Sequence, residues 1–468
     1  MDLKRVLIKG GILSPSELKQ IINYAESLGL DALHFGSRQD IVFPVHETNA
    51  EVDSQFPELS TTMMDTPTYQ NIVCSYVASD IFPSTPWLNG STYLYILEDF
   101  KHQPELKINI VDPRQKLVPV FSGQLNFIAS NHEDYWYLDL KLPNWDGSKF
   151  YPVLVYSWDI AKVAKIIEEV YEQASDEEEL FALVNKVFEA NNRTIEKELS
   201  IEFKPFPYYE GMNKMEMDQY WLGLYWRNNR YYLDFLKKFC DFCLANKVGK
   251  ICLTPWKSFI VKGIPKASKF MLEKLLGKSG INIRHSLLEL NWHLPVNDDE
   301  ALRLKQFIVR DFDQNDISTY GLTFAIADRS KRNQYFTSIV LEKNVQPNLV
   351  KDYDVRPTYN VLYSENFDPN TQNYLVYAQD VDKIELSGLL MELSKKYFSE
   401  FSDDLGITSA IEVEVEEKDS QEVYQCSHCM TVYSEDFDEP KLPFEELSDD
   451  FACSVCESSK EAFERVEI

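Results

Sequence analysis

Residues Gly10–Phe43 read GGILSPSELKQIINYAESLGLDALHFGSRQDIVF, and the middle of that stretch starts and stops a helix by its own letters. Ser14-Pro15-Ser16-Glu17 places Ser at the N-cap, Pro in the first helical position and Glu three residues after the cap, where side chains can satisfy open backbone donors. Leu18, Ile21, Ile22, Ala25 and Leu28 then share one helical face, and Gly29 ends the helix. The runs ALHF and DIVFPV follow as short strands, so that Lys4–Val45 reads strand, helix, strand, strand.

The same pattern returns further along the chain. A shift of 218 residues without a gap sets Leu18 on Leu236, Ile21 on Phe239, Ile22 on Cys240, Ala25 on Cys243, Leu33 on Ile251 and Ile41 on Phe259. Only Leu28 meets a polar residue, Asn246. The second copy spans Tyr220–Ile264, with a strand at Trp221–Trp226, a helix at Arg230–Asn246 and the strand pair KICLTPWKSFIVKGI. A repeat of this kind implies a fold built twice from one supersecondary unit.

The stretch quoted above and ICLTPWKSFIVKGI (251–264) resemble the two ferredoxin-like half-domains of assimilatory sulfite and nitrite reductases. That resemblance implies an α+β chain in which each half-domain precedes a larger α+β module. The expected layout is a first βαββ unit at 1–60, a module at 61–215, a second βαββ unit at 216–265 and a module at 266–400. Strand candidates in the first module include LKINIVD, KLVPVFS, QLNFIAS, YWYLDLKL and YPVLVYS. The resemblance also implies a contact between the arginine of the SRQ stretch, here Arg38, and a tetrapyrrole (sirohaem) or its anionic substrate. In one respect the chain departs from the family. Its enzymes need four cysteine thiolates for a 4Fe–4S cluster beside the sirohaem, and no cysteine lies between Cys252 and Cys426. Cys240 and Cys243 fall on a helix face, Cys252 in a strand, and Cys74 stands alone, so six-electron reduction by this chain is not expected and bound sirohaem is a lesser expectation.

Four of the eight cysteines sit in the last 43 positions, as Cys426-Ser-His-Cys429 and Cys453-Ser-Val-Cys456. Two thiolates three residues apart can face one ion from a single turn, and two such turns complete a tetrahedron of sulfurs that suits iron or zinc. Around them stand Tyr424, Tyr433, Phe444, Leu447, Phe451 and Phe463, with Pro443 and an acidic run between the pairs. From Tyr424 to Glu467 this pattern resembles rubredoxin, which implies one iron ion held by Cys426, Cys429, Cys453 and Cys456, with structural zinc as the alternative. Rubredoxins carry Gly after the second cysteine of each pair and Pro after the third cysteine, whereas here Met430, Glu457 and Ser454 occupy those places. His428 is surplus to the ligand set and reads as a solvated loop residue.

Forty-seven Lys and Arg against 75 Asp and Glu give a net charge of −28, which argues against nucleic acid and anionic membrane as partners. No apolar run approaches the roughly 18–20 residues of a spanning helix, and the start turns polar too soon for a signal peptide, so the expected location is the cytoplasm. Residues 421–468 hold thirteen acidic and three basic residues (Lys441, Lys460, Arg465), a docking face suited to a basic redox partner. Residues 401–420 read as an acidic linker. His285, beside Arg284 and Glu289, reads as a structural group, and no Walker loop, dinucleotide fingerprint or nucleophile elbow is present. The fold expected is α+β: two ferredoxin-like half-domain repeats with larger α+β modules, plus a small C-terminal rubredoxin-like metal domain. The function expected is an electron carrier rather than a catalytic subunit, its body a degenerate reductase-like scaffold for partner docking. The alternatives are a zinc-stabilised interaction or sirohaem-handling protein, and an oxidoreductase fed by the internal rubredoxin.

Overall fold

The computed structural model describes residues 2–45, 50–215, 217–329, 334–344, 349–350, 353–354, 357–401, 422–428, 431–433, 442–453 and 458–467. They belong to two compact units, Met1–Ser399 and Glu400–Ile468. Almost all of the expected linker at 401–420 lies outside the described residues.

The first unit opens with β1 (Asp2–Val6), β2 (Ile12–Leu13), α1 (Pro15–Ser27), β3 (Ala32–Phe35), β4 (Ile41–Val45), α2 (Ala50–Gln55) and β5 (Thr61–Met63). The cap that the sequence announces is present: the Glu17 amide donates to Ser14 Oγ at 3.1 Å, and the Ser14 amide donates to Glu17 Oε2 at 2.6 Å. A mixed sheet follows, made of β6 (Val73–Cys74), β7 (Ile108–Val111), β8 (Leu125–Ala129), β9 (Tyr135–Leu140), β10 (Lys149–Phe150), β11 (Val153–Tyr156) and β12 (Asn192–Thr194). Three helices accompany it, α3 (Gly90–Asp99), α4 (Ile160–Val170) and α5 (Glu177–Val187). The run KLVPVFS (116–122), expected as a strand, is a loop. Gln115 closes it, its amide donating to the carbonyls of Asp112 and Val118 while accepting from the Val118 N–H, so these backbone groups need no ladder partner.

The second half begins with β13 (Gly211–Lys214), β14 (Gln219–Tyr225), β15 (Tyr231–Tyr232), α6 (Leu233–Ala245), β16 (Ile251–Leu253), β17 (Ser258–Pro265) and α7 (Lys269–Lys278). The 218-residue shift holds in the hydrogen-bond ladders. Lys4 faces Phe43 as Leu222 faces Val261, and Phe35 faces Ile41 as Leu253 faces Phe259. Each copy lends a short strand to the other: β2 pairs with β16 (Leu13 opposite Ile251) and β15 with β3 (Tyr231 opposite Leu33). The polar mismatch of Leu28 with Asn246 falls at the C-cap of α1 and α6, where the next residues, Gly29 and Lys247, both take positive φ. Leu30 then bonds back to the Ala25 carbonyl and Val248 to that of Cys243, the same helix stop in both copies. Helices α1 and α6 bury their apolar faces in one core shared by the two copies, with Ile22, Ala25, Cys240 and Cys243 inside it.

The remaining elements of this unit are α8 (Leu287–Leu290), β18 (Trp292–His293), α9 (Asp299–Gln314), β19 (Phe324–Asp328), β20 (Ile339–Lys343), the hairpin β21 (Leu349–Val350) and β22 (Tyr353–Asp354), β23 (Tyr359–Ser364), β24 (Tyr374–Val381) and α10 (Lys383–Phe401). The two modules share a topology: β6, β7 and β8 run parallel and β9 and β11 follow antiparallel, as do β18, β19, β20 and then β23 and β24. His285 is held in place, its Nδ1 2.7 Å from Glu210 Oε1 and its ring edge-on to Tyr225.

In the second unit β25 (Glu422–Cys426) pairs with β26 (Val432–Tyr433) on one side and β27 (Phe463–Glu467) on the other. Tyr424 stacks on Phe444 at 4.1 Å, and Tyr433, Phe451 and Phe463 pack around Phe444 at 5.0–6.0 Å. Among the described residues, no helix is long and apolar enough to cross a membrane.

Candidate functional site

Two places bring the chemically promising residues together, one in each unit. In the first unit the turn between β3 and β4, Gly36–Asp40, is held by the Gly36 amide on the Asp40 carbonyl at 2.9 Å. It is built so tightly that a Cβ on Gly36 would collide with the Asp40 carboxylate. Gln39, fully buried, donates to the carbonyls of Cys74 and Leu253 and accepts from the Cys74 amide, locking the turn to the first module and to the second half-domain. Arg38 then reaches inward. It donates to Asn109 Oδ1 at 2.7 Å and to the carbonyls of Asn71 and Ile108 at 2.8 and 2.9 Å. Burial pushes its guanidinium down to about 9. Arg5, on β1, lies 3.5 Å from Asp40 and donates to the Tyr69 carbonyl. Burial raises the Asp40 carboxyl against the pull of Arg5.

These side chains line an inner chamber of about 320 Å³, walled also by Lys257 and His293 from the second half. It shares Gln70, Lys107, Ser122 and Tyr335 with an outer chamber of about 1160 Å³, where Lys141, Trp145 and Glu168 lie. Arg5, Arg38, Lys107 and Lys257 line the inner chamber with Asp40 as the lone carboxylate among its described lining residues, an excess of positive charge on a chain of net −28. Such an enclosure suits an anionic ligand, because buried cations compensated by one acid attract the complementary charge. In the repeat, Trp256 stands where Arg38 does, donating to the Leu117 carbonyl and packing on Phe206, so the second copy has an aromatic plug in place of the cation.

The cations of the cleft suit an anionic group, and its lining does not suit an iron–sulfur cluster. No cysteine is among its described lining residues. Cys74 and Cys252 are buried in the core of the first module, and Cys240 and Cys243 in the shared half-domain core. Burial pushes the Cys74 and Cys240 thiols up to about 12, so neither offers a thiolate at neutral pH.

In the second unit Cys426 and Cys453 are both buried, while Cys429 and Cys456 lie outside the described residues. Around the two pairs the backbone closes in the same way. The Cys426 amide donates to the Thr431 carbonyl at 2.9 Å and the Cys453 amide to the Ser458 carbonyl at 2.8 Å, each five residues on. One residue outside, Gln425 faces Val432 and Ala452 faces Ser459. The two turns are tied to each other, His428 Nδ1 lying 2.7 Å from Ser458 Oγ. His428 is thus exposed but partnered, which the letters of its own loop do not disclose because the partner comes from thirty residues away. Lys460 donates to the Leu447 carbonyl at 2.5 Å and lies 5.6 Å from the Phe444 ring centre, covering the aromatic core.

The sequence matches no protein-family profile and no curated protein. Its structure is similar to that of the NirA protein of Mycobacterium tuberculosis, with a TM-score of 0.66 at 13% identity, over 86% of this chain and 84% of that one. At this identity the likeness is one of fold: the chain shares the α+β architecture of NirA.

Proposed function

We propose that the chain is an electron-transfer protein whose C-terminal unit holds one iron ion between Cys426, Cys429, Cys453 and Cys456 in the manner of rubredoxin. The observation that carries this reading is the matched closure of the two CxxC turns, each with its first cysteine amide bonded to the carbonyl five residues on. Equal closure gives the two cysteine pairs the same backbone frame, which suits thiolate pairs that share one tetrahedral ion. When bound, the iron supplies a one-electron ferric/ferrous couple. The chain does the rest. Four thiolates fix the ion, and Tyr424, Tyr433, Phe444, Phe451 and Phe463 keep water from it and lower the local dielectric. The acidic surface of 421–468 speeds encounter with a basic redox partner without demanding tight binding. Its body acts as a reductase-like scaffold that lacks the cluster.

The cation-lined cleft favours a second reading, in which the body binds an anionic tetrapyrrole and works as an oxidoreductase or sirohaem-handling protein supplied with electrons by the iron centre. There Arg5, Arg38 and Lys257 would hold the ligand's carboxylates. Metal analysis and a visible spectrum of the native protein decide between iron and zinc. One iron per chain and a red colour bleached by dithionite are expected, whereas stoichiometric zinc in a colourless protein overturns the iron centre. Titration with sirohaem tests the second reading, a shifted absorption band lost in Arg38→Met being its expected result and an unshifted band its refutation.

A further inference from the structure

We propose that His428 and Ser458 form a clasp that positions the two thiolate pairs against each other and so sets how firmly the ion is held and at what potential it works. This inference rests on the four-thiolate reading above and adds to it a pair of residues that are not ligands.

The geometry singles out Ser458. Its carbonyl receives the Cys453 amide and closes the second turn, while its hydroxyl meets the imidazole of His428, which stands between Cys426 and Cys429 in the first. One residue therefore touches both turns. The clasp adds a side-chain bond between the two turns to the β25–β27 ladder. Ser427 strengthens that end, its amide and hydroxyl both donating to the Ala462 carbonyl at 2.8 Å. A group that orients a ligand-bearing turn acts on the metal without touching it, and losing such a partner typically lowers metal affinity about 10–100-fold. Met430 and Glu457, where rubredoxins have Gly, give the clasp a reason to exist, since side chains at those places remove the conformational freedom Gly would bring.

The test is a double-mutant cycle on the full-length, iron-loaded chain, read by the rate of iron loss to excess chelator and by the reduction potential. His428→Ala and Ser458→Ala should each speed iron loss about 10–100-fold and move the potential in the same direction. The double variant should do no more than either single one, because one bond is being removed. His428→Asn, whose amide can reach the position of Nδ1, should restore both readouts. Single variants that release iron at the wild-type rate with an unchanged potential overturn the clasp, as do effects that add in the double variant. A wild-type chain that retains no metal overturns the four-thiolate reading itself, and the clasp with it.

Discussion

Asp40 sits buried beside two arginines, and its carboxyl balances them. Asp40→Ala would leave Arg5 buried without its carboxylate and Arg38 half-buried beside it, and breaking a buried pair in this way costs about 3–5 kcal/mol. Chemical denaturation should show that loss; a change under 1 kcal/mol would mean that the cations are solvated. Glu168 offers a pH handle in the outer chamber. Burial pushes its carboxyl from the ordinary 4.5 up to about 7, although the amides of Glu105 and Leu106 pull the other way. The folded chain therefore holds this proton more tightly than the unfolded chain. Its contribution to stability is full below about pH 4.5, is lost as the pH rises to about 7 and is flat above. The difference in unfolding free energy between wild type and Glu168→Gln should follow that course, and a difference independent of pH would refute it. The SRQ resemblance singles out Arg38, and the structure places it on the inner chamber. Gln39 and Asp40 were not, since their roles depend on the carbonyls of Cys74 and Leu253 and on Arg5, brought in from other elements.

At the scale of elements the capping box, the apolar stripe and the 218-residue shift were all readable, because each depends on residues within one turn or on a fixed spacing. The exchange of β2 and β15 between the copies was not, because two-residue strands carry no periodicity. KLVPVFS misled for a related reason: Leu117, Val118 and Val120 are buried, as in a strand, but the side chain of Gln115 satisfies the backbone of Val118. The shared core of α1 and α6 makes a specific claim about cooperativity. Leu236, fully buried there among residues of both copies, should cost about 2–5 kcal/mol when cut to Ala. Tryptophan fluorescence and far-ultraviolet dichroism should then report one earlier transition for the body. Two separate transitions would mean that the half-domains fold apart.

For the whole molecule, the likeness to NirA over 86% of the chain is one of fold, and the proposed electron transfer rests on the second unit. In the proposed reading the body, without cluster cysteines, supplies no relay of its own. The chain's chemistry then turns on whether its last thiols hold one ion. The cysteine spacing and surrounding aromatics were legible as letters, and the aromatic packing and the equal closure of the two turns are what the fold adds. X-ray absorption at the metal edge of the full-length protein reads this most directly. The account predicts iron with a single shell of four sulfur neighbours, reduced to three with one lighter atom in Cys453→Ser. Fewer than four sulfurs in the unaltered chain, or zinc in place of iron, would contradict it.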